Sequence, residues 1–250
     1  AVLAPWLAPH DPMKADYVQS LRPPGSPGHL LGTDQLGRDL LARVLYGARL
    51  ALFIGVCTVL LTALFGGLLG LVAGFVERWP SAVLMRIADV QLSFPFILLA
   101  MTINAIVGLG LQNIILSLSA AGWVVYARVV RGEVLSVKQR DYVQAAAALG
   151  MSRSRLLFRH VLPNVAPSII VVASLQFSSF IVAEAAISFL GFGIQPPTPA
   201  WGSMLSESRD FLYVAWWLAA FPGVALALTA LGVNLLGDWL RDTLDPKLRV

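Results

Sequence analysis

The residues with the clearest chemical pattern lie between Asp141 and Asn164, DYVQAAAALGMSRSRLLFRHVLPN. Tyr142, Ala145, Ala146 and Leu149 recur at helical spacing, Gly150 supplies a left-handed stop, and Ser152 is placed to cap a second helix bearing Leu156, Leu157 and Val161. Arg153, Arg155 and Arg159 point the other way, and Pro163 is expected to fix a turn into the following segment. A helix–glycine–helix elbow of this kind has two uses. It fits a groove on a soluble partner, where small side chains permit close approach, or it rests on anionic lipid headgroups. Neither use breaks a covalent bond. The chain has no G-x-x-x-x-G-K-[ST] loop to cradle phosphates, so it does not bind ATP by that route. His10, His29 and His160 show no metal-ligand spacing, Cys57 lies in an apolar run, and no nucleophile stands with a base. No catalytic residue, metal ligand or resident cofactor is expected.

A second set of candidates consists of polar groups inside apolar runs, where each is costly. These are Asn104, Gln176, Glu184 and Asn234. Glu184 is the only carboxylate well within such a run, about one turn from its end. Two readings fit it: lining a path where it attracts a peptide's amino terminus, or capping and pairing locally. Arg86 and Asp89 flank the end of a run and read as interfacial.

Positioning these groups requires lipid. With 57% hydrophobic and 13% charged residues and a mean hydropathy of +0.75, the chain has too much apolar surface for a solvated globular domain. Crossing a hydrocarbon core of roughly 30 Å takes about 20 apolar residues in a helix. The qualifying segments are Gly47 to Phe75, Val90 to Leu109, Asn113 to Val130, Val165 to Ser188 and Leu218 to Leu236. Pro95 and Pro222 stand near span starts, where a missing amide donor costs least, and Pro95 is also placed to kink its helix. The net charge of +4 reflects bases beside apolar segments, which is an orientation signal and not a nucleic-acid footprint. Arg128, Arg131, Lys138, Arg140, Arg153, Arg155 and Arg159, against Glu133 and Asp141, place the elbow in the cytoplasm. Alternation then puts Glu77 to Arg86 and Arg241 to Val250 inside, and Ala1 to Tyr46 and Phe189 to Phe211 outside. Arg38, Arg43 and Arg49 run against that scheme. An outside start implies a further span preceding Ala1, six in all. Trp6, Trp79, Trp123, Trp201, Trp216, Trp217 and Trp239 fall mostly near span ends as interfacial anchors. Gly66, Gly70 and Gly74 mark a close-packing face, either within the chain or toward a companion subunit.

The stretch Asp141 to Asn164 resembles the EAA loop of ABC importer permeases: Ala145, Ala146, Gly150, Leu162 and Pro163 match the pattern E-A-A, three residues, Gly, nine residues, I-x-L-P. Gln144 replaces the Glu, and His160 stands in place of Ile, as in the H-x-L-P-N ending usual in the dipeptide and oligopeptide branch. HLLGTDQLGRDLLARVLYGAR (His29 to Arg49), SFLGFGIQPPTPAWG (Ser188 to Gly202) and NLLGDWLRDTLDPKL (Asn234 to Leu248) are similar to the C-type subunit of that branch. The resemblance implies an all-α integral membrane protein, a polytopic helical bundle of the type I importer permease kind. An external segment, 1–46, would lead into a transmembrane domain, 47–250, whose coupling loop spans about 139–163. Gln144, Ala145, Ala146, Gly150, Arg153, Arg155, His160, Leu162 and Pro163 would then serve ATPase coupling, and Glu184, Gln176 and Asn104 the substrate path. The implied partners are a second homologous permease, two ABC ATPase subunits that carry ATP and Mg, an extracytoplasmic substrate-binding protein and membrane lipid, with no nucleic acid. The implied location is the inner membrane of a bacterium, multi-pass, with a cytoplasmic C-terminus. Dipeptides and oligopeptides are the leading cargo, with glutathione and nickel as alternatives. A secondary transporter is the rival from another class; it would show inverted repeats and midplane coupling groups, which are not evident, and has no use for an arginine-rich elbow.

Overall fold

The chain is described by a computed structural model over residues 4–76 and 79–244. Glu77 and Arg78 of the first inner loop, and the end of the C-terminal motif from Asp245 onward, lie outside the described residues. After a short helix α1 (Ala4–Leu7), the chain runs irregularly through a 3-10 turn at Tyr17–Gln19 to α2 (Leu40–Phe75). The Asp39 carboxylate accepts the Ala42 amide at 2.8 Å and so caps α2 seven residues before the expected start of the span. At 36 residues α2 is about 54 Å long, well beyond a hydrocarbon core of ~30 Å.

The expected span Val90 to Leu109 is not one straight helix but is broken at Pro95, the residue placed to kink it. α3 (Trp79–Leu92) and α4 (Phe96–Val107) meet at 94° across Ser93, Phe94 and Pro95. Pro95 has no amide to donate and pushes Phe94 away from helical geometry, so the helix stops and restarts. α5 (Leu111–Lys138) follows and continues past Val130, its expected end. Then come α6 (Asp141–Ala148), α7 (Arg153–Leu156), a single π turn over Leu157–Val161, α8 (Leu162–Phe189), α9 (Trp201–Glu207) and α10 (Trp217–Leu244). No turn occurs at Pro163. The wide turn, closed by Leu162 N–H donating to Leu157 C=O, carries α7 straight into α8, and Pro163 occupies the first positions of α8, where its missing donor costs least.

Glycine determines the closest packing. α2 and α5 run side by side in the same direction, with Gly66 against Trp123, Gly70 against Ala127 and Gly74 against Val134. A Cβ on Gly70 would sit 2.6 Å from the Ala127 carbonyl oxygen, so this stripe serves contact within the chain. α8 returns antiparallel, laying Phe177 and Ile181 on Gly55, and α10 runs antiparallel to α8 with Gly237 against Ser174. In the most apolar window of each helix, 56% of α5 is buried but only 11% of α10, so α5 is the central rod and α10 lies on the outside. Leu60, Leu64 and Phe65 of α2 and Leu228, Leu231 and Leu235 of α10 are exposed, a surface that lipid or protein must cover. Among the described residues, four helices are long and apolar enough to cross a membrane, five if the bent pair counts as one span.

The loops sort to two ends. At one, Trp217 Nε1 donates to Thr33 C=O at 3.3 Å and Trp201 Nε1 to Val44 C=O at 3.1 Å, joining the segment before α2 to the start of α10 and the first turns of α2 to α9. The elbow occupies the other.

Candidate coupling elbow and interior polar groups

The elbow is built by its glycine. Gly150 has φ +84°, the Gly150 amide donates to Ala147 C=O at 3.0 Å, and the Met151 amide donates to Ala146 C=O at 3.1 Å, which ends α6 and turns the chain. Ser152 holds extended backbone at the start of α7, but its side chain makes no capping bond. Val143, Leu156, Val161 and Val165 pack on Val130, Val134 and Val137 of α5, fastening the elbow to the bundle. Arg140 donates to Asn164 Oδ1 at 3.1 Å, and the Asn164 amide donates to His160 C=O at 2.7 Å.

What the elbow leaves outside is informative. Leu149 is 89% exposed and Tyr142 44%, and Gln144 and Ala145 lie beside them in the open. Val143, outside the apolar stripe picked out by periodicity, is the α6 residue that anchors it. Ala146 and Leu162 are half-buried and Pro163 is exposed. Arg153, Arg155 and Arg159 are exposed; Arg155 and Arg159 line a shallow depression with Ser152, Ser154 and Phe158. His160 is half-buried with its ring 6.0 Å from that of Tyr142, and its Nε2 is buried without a hydrogen-bond partner. Both arms are continuous with long helices, α6 through Gln139 and Arg140 to α5, α7 through the π turn to α8. Lys138 Nζ donates to Phe75 C=O at 3.4 Å, tying in the end of α2. A push on the elbow therefore reaches the three helices that pack most tightly.

The interior polar groups divide. Glu184 is buried and accepts from Ser188 Oγ at 2.6 Å, while that oxygen accepts from the Ile194 amide at 3.0 Å, so the carboxylate braces the end of α8. Asn104 is fully buried; its amide donates to Phe192 C=O, and Ser117 donates to its Oδ1 at 3.4 Å. Both face protein in this conformation, and Gln176 is half-buried on α8. Asn234, by contrast, is exposed midway along α10, accepting from Ser178 Oγ at 2.5 Å. With Ser179, Phe96, Ile97 and Val182 it lines a groove of about 430 Å³ between α4, α8 and α10.

The opposite end holds a charge cluster that sequence reading missed. Arg38 Nε donates to Asp34 Oδ2 at 2.6 Å and its Nη2 to Glu207 Oε2 at 3.0 Å; Arg43 lies 3.4 Å and 3.3 Å from the same two oxygens. Two cations face two anions, so the charges of Arg38 and Arg43 are balanced within the cluster and weigh little as an orientation signal.

The family model described as "Binding-protein-dependent transport system inner membrane component" matches residues 66–250. The chain belongs to that family. It is 46% identical over 254 residues to the di/tripeptide transport system permease protein DppC of Pseudomonas aeruginosa, covering 100% of this chain and 84% of the relative. It is 43% identical over 249 residues to the glutathione transport system permease protein GsiD of Pectobacterium atrosepticum, covering 100% and 83%. Among solved structures, an inward-facing MetNI methionine ABC transporter chain aligns with a TM-score of 0.65 and 17% identity, over 80% of this chain and 94% of that one, which supports the helical fold. This family member is thus a multi-pass permease, a transport subunit with the type I importer architecture.

Proposed function

We propose that the chain carries di- or oligopeptides across a bacterial inner membrane as one of two homologous permeases, driven by two separate ABC ATPases and supplied by an extracytoplasmic binding protein. The observation that carries the reading is the elbow, an apolar and small-residue face left open on a brace joined to α5 and α8. Gln144, Ala145, Ala146, Gly150, Leu162 and Pro163 belong to the ATPase-docking surface, flanked by Arg153, Arg155 and His160. ATP and Mg reside on the ATPases. In this reading the elbow and the C-terminus are cytoplasmic, and ATP drives transport by favouring one arrangement of the helices over the other. Because Glu184 and Asn104 face protein, the Asn234 groove is the better substrate route: an exposed amide on an apolar helix, costly in lipid, is accommodated where a second permease encloses a hydrated path. The cargo assignment follows the di/tripeptide permease relative, with glutathione as the second reading from the other. Stimulation of ATP hydrolysis by binding protein loaded with dipeptide, in the reconstituted complex, tests it. Stimulation by glutathione-loaded or nickel-loaded binding protein alone would replace the cargo.

A further inference from the structure

The two histidines of the N-terminal segment lie 19 residues apart in sequence, and the fold brings them together on the cap of α2. His29 Nδ1 is 2.8 Å from Asp39 Oδ1, and His10 Nδ1 is 3.7 Å from the same oxygen. The ring centroids are 5.0 Å apart. The other Asp39 oxygen is already engaged by the Ala42 amide, so Oδ1 alone faces the rings.

The second ring nitrogen of His29 also has a polar neighbour. Gln19 Nε2 donates to Asp16 Oδ2 at 3.4 Å, which turns Gln19 Oε1 toward His29 Nε2 at 3.1 Å. With Nε2 donating to Gln19, the neutral ring presents its Nδ1 lone pair on the side of the Asp39 carboxylate, the tautomer that a metal-ligating imidazole uses. The 2.8 Å between Nδ1 and Asp39 Oδ1 is a separation that a shared proton also gives. A proton would suffice for His29 and Asp39 alone, but it gives no reason for a second imidazole nitrogen to converge on the same oxygen.

We propose that His10, His29 and Asp39 bind a borderline divalent transition ion of the Zn²⁺ class, with water in the remaining position. Tetrahedral bonds of about 2.0–2.1 Å separate ligand atoms by about 3.3 Å; the two histidine nitrogens lie 2.8 Å and 3.7 Å from Asp39 Oδ1, on either side of that value, and the three ligand atoms all fall within 4.8 Å of one another. Gln19 is the outer-shell acceptor that orients a ligating imidazole. The His10 side chain is 45% exposed, which gives the ion access, while Asp39 is 1% exposed and holds the charge against the helix. The ion would fasten residue 10 to the start of α2, beside the Asp34, Arg38, Arg43 and Glu207 cluster.

The test uses the assembled permease in nanodiscs, purified with a tag free of histidine, stripped with chelator and dialysed against Zn²⁺; Co²⁺ absorption reports the geometry. Wild type should retain a single Zn²⁺ per chain and give a tetrahedral Co²⁺ spectrum, and Mg²⁺ should not compete. His10→Ala, at an exposed side chain whose loss leaves the cap intact, should weaken Zn²⁺ by at least ~10-fold, the loss that even an outer-shell partner causes. His29→Gln should do the same. Zn²⁺ retention by wild type no greater than by His10→Ala would mean that a proton alone bridges His29 and Asp39, and would overturn the proposal.

Discussion

Leu149 offers the cleanest separation of docking from stability. Its side chain is 89% exposed at the tip of α6, so Leu149→Ala removes almost no contact from the chain itself. Thermal unfolding of the permease alone should change by less than ~0.5 kcal/mol, the range for surface positions. If the ATPase groove buries this tip, the substitution removes three carbons at about 0.8 kcal/mol each, and allowing for partial burial the complex weakens by ~2 kcal/mol. That is about 30-fold in the dissociation constant. The assay is titration of labelled ATPase subunits onto the permease in nanodiscs, wild type against variant, with melting curves on the same preparations. An affinity change under about threefold would show that Leu149 does not enter the ATPase, and a large loss of permease stability would show that it packs within the chain; either result refutes the reasoning.

At Gly150, with φ +84°, a valine should strain the elbow by ~1–2 kcal/mol and leave ATP hydrolysis without matching uptake, checked by measuring both in one proteoliposome preparation. Gly70→Ala should lower the melting temperature, because its Cβ would meet Ala127 C=O at 2.6 Å, with ~1–3 kcal/mol of overpacking. Gly67→Ala should instead be neutral or stabilising by ~0.5–1 kcal/mol, since its Cβ meets only Ile169 Cδ1 at 3.8 Å. Glu207→Gln leaves two guanidiniums facing Asp34 alone; because Glu207 is 18% exposed, about 2–3 kcal/mol is expected, below the ~3–5 of a fully buried pair, and a melting point some 5–10 °C lower. Asn234→Leu should reduce uptake while the purified complex keeps its composition by size-exclusion chromatography.

The sequence made the apolar segments and the elbow legible because both are local patterns. Tyr142 to Leu149, Gly150 and the arginines fall within one short stretch, and the hinge forms at Gly150 as its residue type demands. Pro95 marked the place where the helix could kink, but not the 94° between α3 and α4, because Phe94 and Phe96 keep hydropathy high across it and a window average cannot see a missing amide. α2 begins at Leu40 and α5 ends at Lys138, beyond the expected spans, because helix continues into water where apolarity no longer marks it. The glycine stripe announced close packing but not its partner; only the fold sets Gly70 on Ala127. Glu184 was conspicuous as a carboxylate in an apolar run, yet the partner that decides its placement, Ser188, is held by the backbone of Ile194. Asp34 and Glu207, and His10 and His29, meet through loop paths that no periodicity encodes.

ATP-driven uptake of a labelled dipeptide into proteoliposomes, assembled with and without the ATPase subunits, tests the central claim most directly. Uptake should require ATP, the ATPases and binding protein together, and should fall when Leu149 is truncated. Uptake by the permeases with no ATPase present would contradict the account.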